Sequence, residues 1–347
     1  MTRRQVSIKE IAELAGVSYP TVSRALRGEG RISEATRTRI LNIAQDHSYT
    51  PSLAARSLVS KRSCAVGLVL TSFTDPFHAD IAEAIQSEAS LHNYSVFMSS
   101  IGSNDPQREL EVVRRLQAHR VDGVIVGSGR VGDRYHELFH ETGIPIVLIN
   151  SQANEQHVHS ICHDDLHGGQ SIIEYLLSRG YTQIAYIGNA QAGKVNVDRY
   201  RAWHSTLGNR GLSTQFTCNG ETGGTQDGVG AAECLLAAHW DALRAKRSAI
   251  WCFNDAMAIG ALSVFHKHGL RVPQDIGIAG FDGLDLARFT SPALTTWRQP
   301  RHDMGVAAMQ MVMTCINNAG KLENDHQDQS SSGNLTMRGE LVVGEST

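Results

Sequence analysis

At 347 residues, with 41% apolar and 19% charged side chains, the chain can bury more than one core without covalent staples. No stretch approaches the roughly 18 uninterrupted apolar residues of a membrane span, and the N-terminal MTRRQVSIKE has no apolar run behind its basic residues. Neither a spanning helix nor a secretion signal is expected, and a cytoplasmic location is. The formal charge of −3 conceals a split: residues 1–62 hold 11 Lys+Arg against 5 Asp+Glu, leaving 21 against 30 for the remainder. A basic head on an acidic body directs the head toward a polyanion.

Along the head, Ser7-Ile8-Lys9-Glu10 has capping-box spacing and starts a helix at Ile8. Ile8, Ile11, Ala12, Leu14 and Ala15 recur at helical spacing until Gly16, a residue suited to the left-handed turn that ends a helix. Ser18 is placed to cap a second helix, with Val22, Ala25 and Leu26 on its core side and Tyr19, Pro20, Ser23 and Arg24 mostly elsewhere. A third helix follows Ser33, with Ile40, Ile43 and Ala44 on its apolar face, and stops before Tyr49-Thr50-Pro51. Helix, short turn and helix in a basic unit favour a helix-turn-helix that enters the major groove over a protein-docking module.

From SIKEIAELAG through SYTPSLAARSL, the sequence resembles without a gap the DNA-binding head and hinge of the LacI/GalR family of bacterial transcription regulators. The resemblance implies that Tyr19, Pro20 and Arg24 face base edges, and that Ser7, Ser18, Thr21, Ser23 and Ser33 hold phosphates. Arg24 is the candidate for bidentate guanine recognition. Pro20 falls in the first helical turn, where it has no intrahelical bond to lose, and it can only pack against a base. In PSLAARSLVSKRS, Ala54, Ala55 and Leu58 form a narrow face on barely two helical turns, too short to be stable alone. By the resemblance this hinge orders on operator DNA beside its copy in a second subunit, with Ala55 and Leu58 at the DNA and Leu58 wedged into a minor-groove step.

From Cys64 onward the pattern changes to short apolar strands (AVGLVL, SVFMS, GVIVG, PIVLI, IAYIG, AIWCF, IGIAGF) alternating with amphipathic helices. That alternation predicts parallel sheets covered by helices on both faces. The expected fold is therefore an all-α helix-turn-helix head (1–50) and a hinge helix or linker (51–62), followed by an α/β two-lobed, periplasmic-binding-protein-like effector and dimerisation domain (63–347). Lobe 1 is expected at about 63–180 and 300–325, lobe 2 at about 181–299 and 326–347. Ligands of open parallel sheets bind beyond the carboxyl ends of the strands. Phe73, Asp75, Phe77, Ser128, Asn150, Asn189, Asn254, Asp255 and Asp282 stand there, a set suited to a polyhydroxylated ligand.

TDPFHADI, VDGVIV, IPIVLIN, DRYRAW, CFNDAMAIGAL, GIAGFDG and LTTWRQP extend the LacI/GalR resemblance over most of the chain. Carried over, it implies effector contacts from Asp75, Phe77, Arg199, Asn254 and Asp282, with Ser128 added from its place after a strand. The partners implied are double-stranded operator DNA, a small-molecule effector (a sugar or sugar acid) and a second copy in a homodimer, with no cofactor, metal or membrane. The tail GNLTMRGELVVGEST has no leucine heptad to make a tetramer. DPFH, FDG, Val195 and Val197 depart from the commonest family pattern and loosen the ligand class. Alternatives are a corepressor-dependent regulator and a ligand receptor with no DNA function.

Other motifs are set aside. NGETGGTQDGVGAAE lacks the Gly-Lys-Ser/Thr of a phosphate-cradling loop and reads as a flexible loop. His157, His159, His163 and His167 match no usual zinc spacing, and the six cysteines, free of CxxC pairs, read as buried thiols rather than a disulfide framework. No GxSxG elbow or supportable Cys/His pair favours an enzyme, which would also leave the basic head unexplained.

Overall fold

The computed structural model describes residues 6–49, 62–102, 105–127, 143–151, 158–319 and 333–347. The chain divides into two compact units, Met1–Ser63 and Cys64–Thr347.

In the first unit, α1 (Ile8–Ala15) begins at a reciprocal capping box: Glu10 N–H donates to Ser7 Oγ at 3.3 Å, and Ser7 N–H to Glu10 Oε2 at 2.6 Å. It ends at Gly16, whose φ of 63° is open to a residue without Cβ. Next come α2 (Tyr19–Arg27) and α3 (Glu34–Asp46), the latter capped by Ser33 Oγ, which accepts from Thr36 N–H at 3.3 Å. Ile11, Val22 and Ile40 are fully buried where the three helices meet. Two expectations change. Leu14, placed on the apolar face, is 54% exposed, because α2 and α3 do not cover its side of α1. Ser18 has the backbone of a cap but makes no cap bond through its side chain. Pro20 offers it no N–H and Thr21 N–H is taken by Ser18 carbonyl oxygen at 2.9 Å, so the Ser18 hydroxyl pairs with Thr21 Oγ1 instead.

The second unit contains two parallel sheets. β1 (Ala65–Leu70), α4 (Pro76–Leu91), β2 (Ser95–Ser100), α5 (Pro106–Ala118), β3 (Gly123–Val126), β4 (Ile146–Ile149) and β5 (Val158–His163) build the first sheet, which β11 (Asn334–Met337) completes in the order β11-β5-β4-β3-β1-β2. Its inner strands β1, β3 and β4 are buried along their whole length, as strands covered on both faces must be.

The chain then crosses to α6 (Asp165–Ser178), β6 (Gln183–Asn189), α7 (Lys194–Gly208), β7 (Thr217–Gly220), α8 (Thr225–Ala245), β8 (Ser248–Cys252), α9 (Asp255–Lys267) and β9 (Gly277–Ala279), whose sheet order is β7-β6-β8-β9. β10 (Thr296–Arg298) pairs antiparallel with β12 (Glu340–Val342), while α10 (Arg301–Ala319) returns to pack on α4.

The lobe limits differ from those expected. Ile172, Ile173 and Leu176 of α6 share a core with Tyr186, Trp203 and Trp251, so the first crossing falls at Asp164 rather than near 180. β11 pairs parallel with β5, so 334–337 belongs to lobe 1 and only the residues from β12 onward to lobe 2. The reason is β5: the polar His159, Ser160 and His163 in VHSICH mask a buried strand whose Ser160 Oγ donates to Asn334 Oδ1 at 2.6 Å. The three crossings lie side by side, with Asp164 N–H donating to Met337 carbonyl oxygen at 2.9 Å and Arg298 Nη1 to Glu340 Oε1 at 2.8 Å.

Cys218 and Cys234, expected as free thiols, are joined as a disulfide between β7 and α8. A separation of 16 residues gives no local spacing signal for it.

Candidate functional site

The crossings leave a cleft between the lobes, above the carboxyl ends of the strands. On the lobe 1 wall, β1 leads to Asp75, the N-cap of α4, whose Oδ1 accepts from Phe77 N–H at 3.0 Å and whose Oδ2 lies 3.4 Å from His78 Nδ1. Asn150 follows β4 with φ at 56°, and its Oδ1 accepts from His163 N–H at 3.2 Å.

The lobe 2 wall centres on Arg199 of α7, only 2% exposed. Its Nε donates to Asp165 Oδ1 at 2.9 Å, its Nη1 to the Phe253 carbonyl oxygen at 2.5 Å, and its Nη2 stands 3.7 Å from Asp282 Oδ1. The guanidinium also lies between two rings, 3.8 Å from the centre of Phe281 and 4.5 Å from that of Phe253. His163 Nε2 accepts from Trp297 Nε1 at 2.9 Å, which leaves Nδ1 of the neutral ring to donate to Asp165 at 3.4 Å. Burial alone would raise the Asp165 carboxyl; the charge of Arg199 and the His163 bond outweigh it and hold Asp165 below its ordinary range.

Asp282 has φ at 108°, a strained conformation for a residue with a Cβ. Gln299 Nε2 donates to its Oδ1 at 2.7 Å, and Arg301 Nη1 donates to its carbonyl oxygen. Burial pushes the Asp282 carboxyl well above the ordinary range despite Arg199. Asn254 caps α9, accepting from Met257 N–H at 2.8 Å, and donates through Nδ2 to Gly223 carbonyl oxygen at 2.9 Å. Behind it Asp255 is fully buried, accepts from Thr296 Oγ1 at 2.6 Å and Leu284 N–H at 2.7 Å, and is raised by burial to about 7.

Asp75, Phe77, Arg199, Asn254 and Asp282 thus line one chamber of about 130 Å³. Ser128 lies outside the described residues, as do Ala55 and Leu58 of the hinge. Phe73 stands on a different, apolar groove, and Asp255 lies behind the wall rather than on it. Sequence reasoning missed Gln299, which is 2% exposed and whose Oε1 has no hydrogen-bond partner. Thr222 escapes it also, because the glycine-rich segment reads as a flexible loop. That loop is held by Asp227, whose Oδ2 accepts from Thr222 N–H at 2.9 Å and Gly224 N–H at 3.2 Å. A carboxylate at residue 227 following a run of donors was the available signal.

In the head, Tyr19, Pro20 and Arg24 are exposed on α2, with Pro20 and Arg24 one turn apart. The Arg24 stem runs over Gly30, where an added Cβ would come within 3.3 Å of Arg24 Cδ. Ser7, Ser18 and Ser33 stand exposed at the three helix N-termini, while Thr21 and Ser23 are half-buried. Amide-rich helix starts of this kind favour anions.

A three-helix basic head and a two-lobed body with a polar cleft define a DNA-binding regulator with an effector domain. The model of bacterial regulatory proteins of the lacI family matches residues 7–52, and that of periplasmic binding proteins and the sugar binding domain of the LacI family matches 63–335. The chain belongs to the LacI family. It is 32% identical to the probable HTH-type transcriptional repressor ExuR of Bacillus subtilis (strain 168), over 90% of this chain and 92% of that one. With catabolite control protein A of Priestia megaterium it shares 29% over 90% and 93%. The lac repressor dimer bound to operator and the anti-inducer ONPF has the same fold, with a TM-score of 0.87, 24% identity and 99% of each chain covered. Among the described residues no helix is long and apolar enough to cross a membrane, and no cluster of His, Cys, Asp or Glu is arranged to hold a metal.

Proposed function

We propose that this chain is a cytoplasmic, homodimeric repressor whose hold on operator DNA is set by an uncharged sugar bound between the lobes. The observation that carries the effector reading is the convergence of Asp75, Phe77, Arg199, Asn254 and Asp282, from separate elements, on one chamber. The sequence left sugar and sugar acid open. Arg199, the one Lys or Arg among the described residues lining that chamber, already has its charge met by Asp165, which favours hydroxyls over a carboxylate. Gln299 and Asp282 bring an amide and a carboxyl group to that wall, where ligand hydroxyls can pair with them.

For the dimer, β2 ends the first sheet and leaves Phe97 and Met98 exposed beside a groove lined by Phe73, Ala79 and Ala82, an apolar face suited to a second copy. Arg24 is assigned guanine readout, Tyr19 and Pro20 base contacts, and the serines and threonines phosphates. Effector binding acts by favouring one arrangement of the lobes, and it reverses operator occupancy only if it discriminates between states by several kcal/mol. A sugar that binds the operator-free state better acts as an inducer, and one that binds the operator-bound state better acts as a corepressor and strengthens operator binding on addition.

Two measurements test these assignments. Calorimetric titration should show neutral sugars binding and the matching sugar acids not, with Asp282→Ala weakening the sugar at least tenfold; an unchanged affinity removes Asp282 from the site. In the head, Arg24→Ala should cost about 1–3 kcal/mol at one base position of the operator and relax preference there. A uniform loss across all sequences would reassign Arg24 to phosphate.

A further inference from the structure

The cleft continues past Asn150 and Val195, which line two chambers at once. Beyond them a second chamber of about 280 Å³, over the carboxyl ends of β4, β5 and β11, is larger than the chamber of Asp282. Asn150, Cys162 and Thr336 face it from lobe 1, and Lys194, Asp198 and Arg201 from α7. Small-molecule sites occupy about 300–1,000 Å³. The first chamber by itself falls below that range, and the two together, about 410 Å³, fall within it.

The second chamber is polar but its charges are largely spoken for. Lys194 pairs with Asp198 one turn on, Asp165 is held by Arg199, and Asp164 lies 3.4 Å from Arg338. Each of the three carboxylates on its walls is met by a cation, and Arg201, the one Lys or Arg of the described lining outside these pairs, is open to solvent, which screens its charge. What remains on offer to a ligand is amide, hydroxyl and guanidinium hydrogen bonding from Asn150, Thr336 and the exposed Arg201. Asn150 is well suited to the junction: its left-handed backbone and its bond to His163 N–H fix it where the two chambers meet.

We infer that the effector spans both chambers and is a two-unit ligand, a neutral disaccharide or a glycoside with a polyhydroxylated second unit. This rests on the sugar reading proposed above. One unit meets Asp282, Asn254 and Gln299; the other meets Asn150, Thr336 and Arg201, with the linkage passing between Asn150 and Val195.

The test uses the full-length protein and calorimetric titration of glucose, galactose and xylose against cellobiose, maltose, lactose and xylobiose, reading the ratio of disaccharide to monosaccharide affinity. In wild type at least one disaccharide should bind tenfold or more tightly than its component sugars. Arg201→Ala, which removes a donor, and Thr336→Trp, which fills the chamber, should each bring that ratio toward one. A monosaccharide that binds as tightly as every disaccharide containing it, or a ratio that neither variant moves, overturns the two-unit ligand while leaving a sugar effector standing. Failure of all these sugars, of either length, to bind removes the sugar reading itself and the two-unit ligand with it.

Discussion

The two walls of the cleft are built on different physical terms. On lobe 2, Arg199, Asp165, Asp282, Asn254 and Asp255 are all buried, and each is tied to other parts of the protein: guanidinium to carboxylate and carbonyl, amide to amide, carboxyl to hydroxyl. On lobe 1, Asp75 has a side chain 39% exposed and is held by the start of its own helix. Buried charges that satisfy one another fix a wall before any ligand arrives, whereas a half-exposed side chain held by its own helix start keeps room to adjust. The cleft therefore pairs a preformed face with an adaptable one.

Removing the centre of the preformed face should have the largest effect. Arg199→Leu keeps apolar contact with Phe253 and Phe281 but leaves Asp165 buried without its cation. The expected loss is about 5 kcal/mol, the upper end for breaking a buried ion pair from one side. Arg199→Lys should recover only part of it, since an ammonium cannot serve the carboxylate, the carbonyl and both rings at once. Urea denaturation of the full chain reads this, and an unshifted midpoint for Arg199→Leu would show that the wall stands without it.

Asp255 tests the same wall through pH. Its folded pKa is raised from 3.8 to about 7 by burial, so the folded state binds the proton more tightly than the unfolded chain. The resulting stabilisation is present at low pH and is lost as pH rises from about 4 through 7, approaching about 4 kcal/mol for three units at 1.36 kcal/mol each. Asp282 acts in the same direction, while Asp165, held low, adds a slope only below about 3.8, the ordinary value for an aspartate. Asp255→Asn should flatten the slope of stability against pH between 4 and 7 without abolishing it. An identical slope in the variant would assign the proton elsewhere.

The contrast between walls also explains what could be read in the sequence. Strands β1, β3, β4, β6 and β8 were legible because complete burial demands unbroken apolar runs, and the head because its caps and apolar spacing are local. Asp75, Arg199, Asn254 and Asp282 could be named from family motifs, but their partners could not. Asp165 reaches Arg199 across 34 residues and Ser160 reaches Asn334 across 174, and no periodicity encodes such distances. The same limit hid β5, the crossing at Asp164 and the place of β11. Ser18 failed as a cap for a nearer reason, the missing amide of Pro20 two residues on.

The adaptable wall should yield the smallest change in stability, and there stability and binding can be separated. Asp75 both caps α4 and lines the chamber of Asp282. Asn caps about as well as Asp, whereas Ala costs about 1 kcal/mol. Asp75→Asn should therefore leave the urea midpoint within a few tenths of a kcal/mol of wild type, and Asp75→Ala should lower it. If Asp75 accepts a hydroxyl of the effector through its charge, both variants lose sugar affinity several-fold despite their different stabilities. If it serves only the helix, Asp75→Asn binds sugar as wild type does, and lobe 1 then contributes Phe77 and Asn150 rather than a carboxylate. The first outcome is expected, because Asp75 Oδ1 is committed to Phe77 N–H while Oδ2, 3.4 Å from His78, retains lone pairs on a half-open side chain.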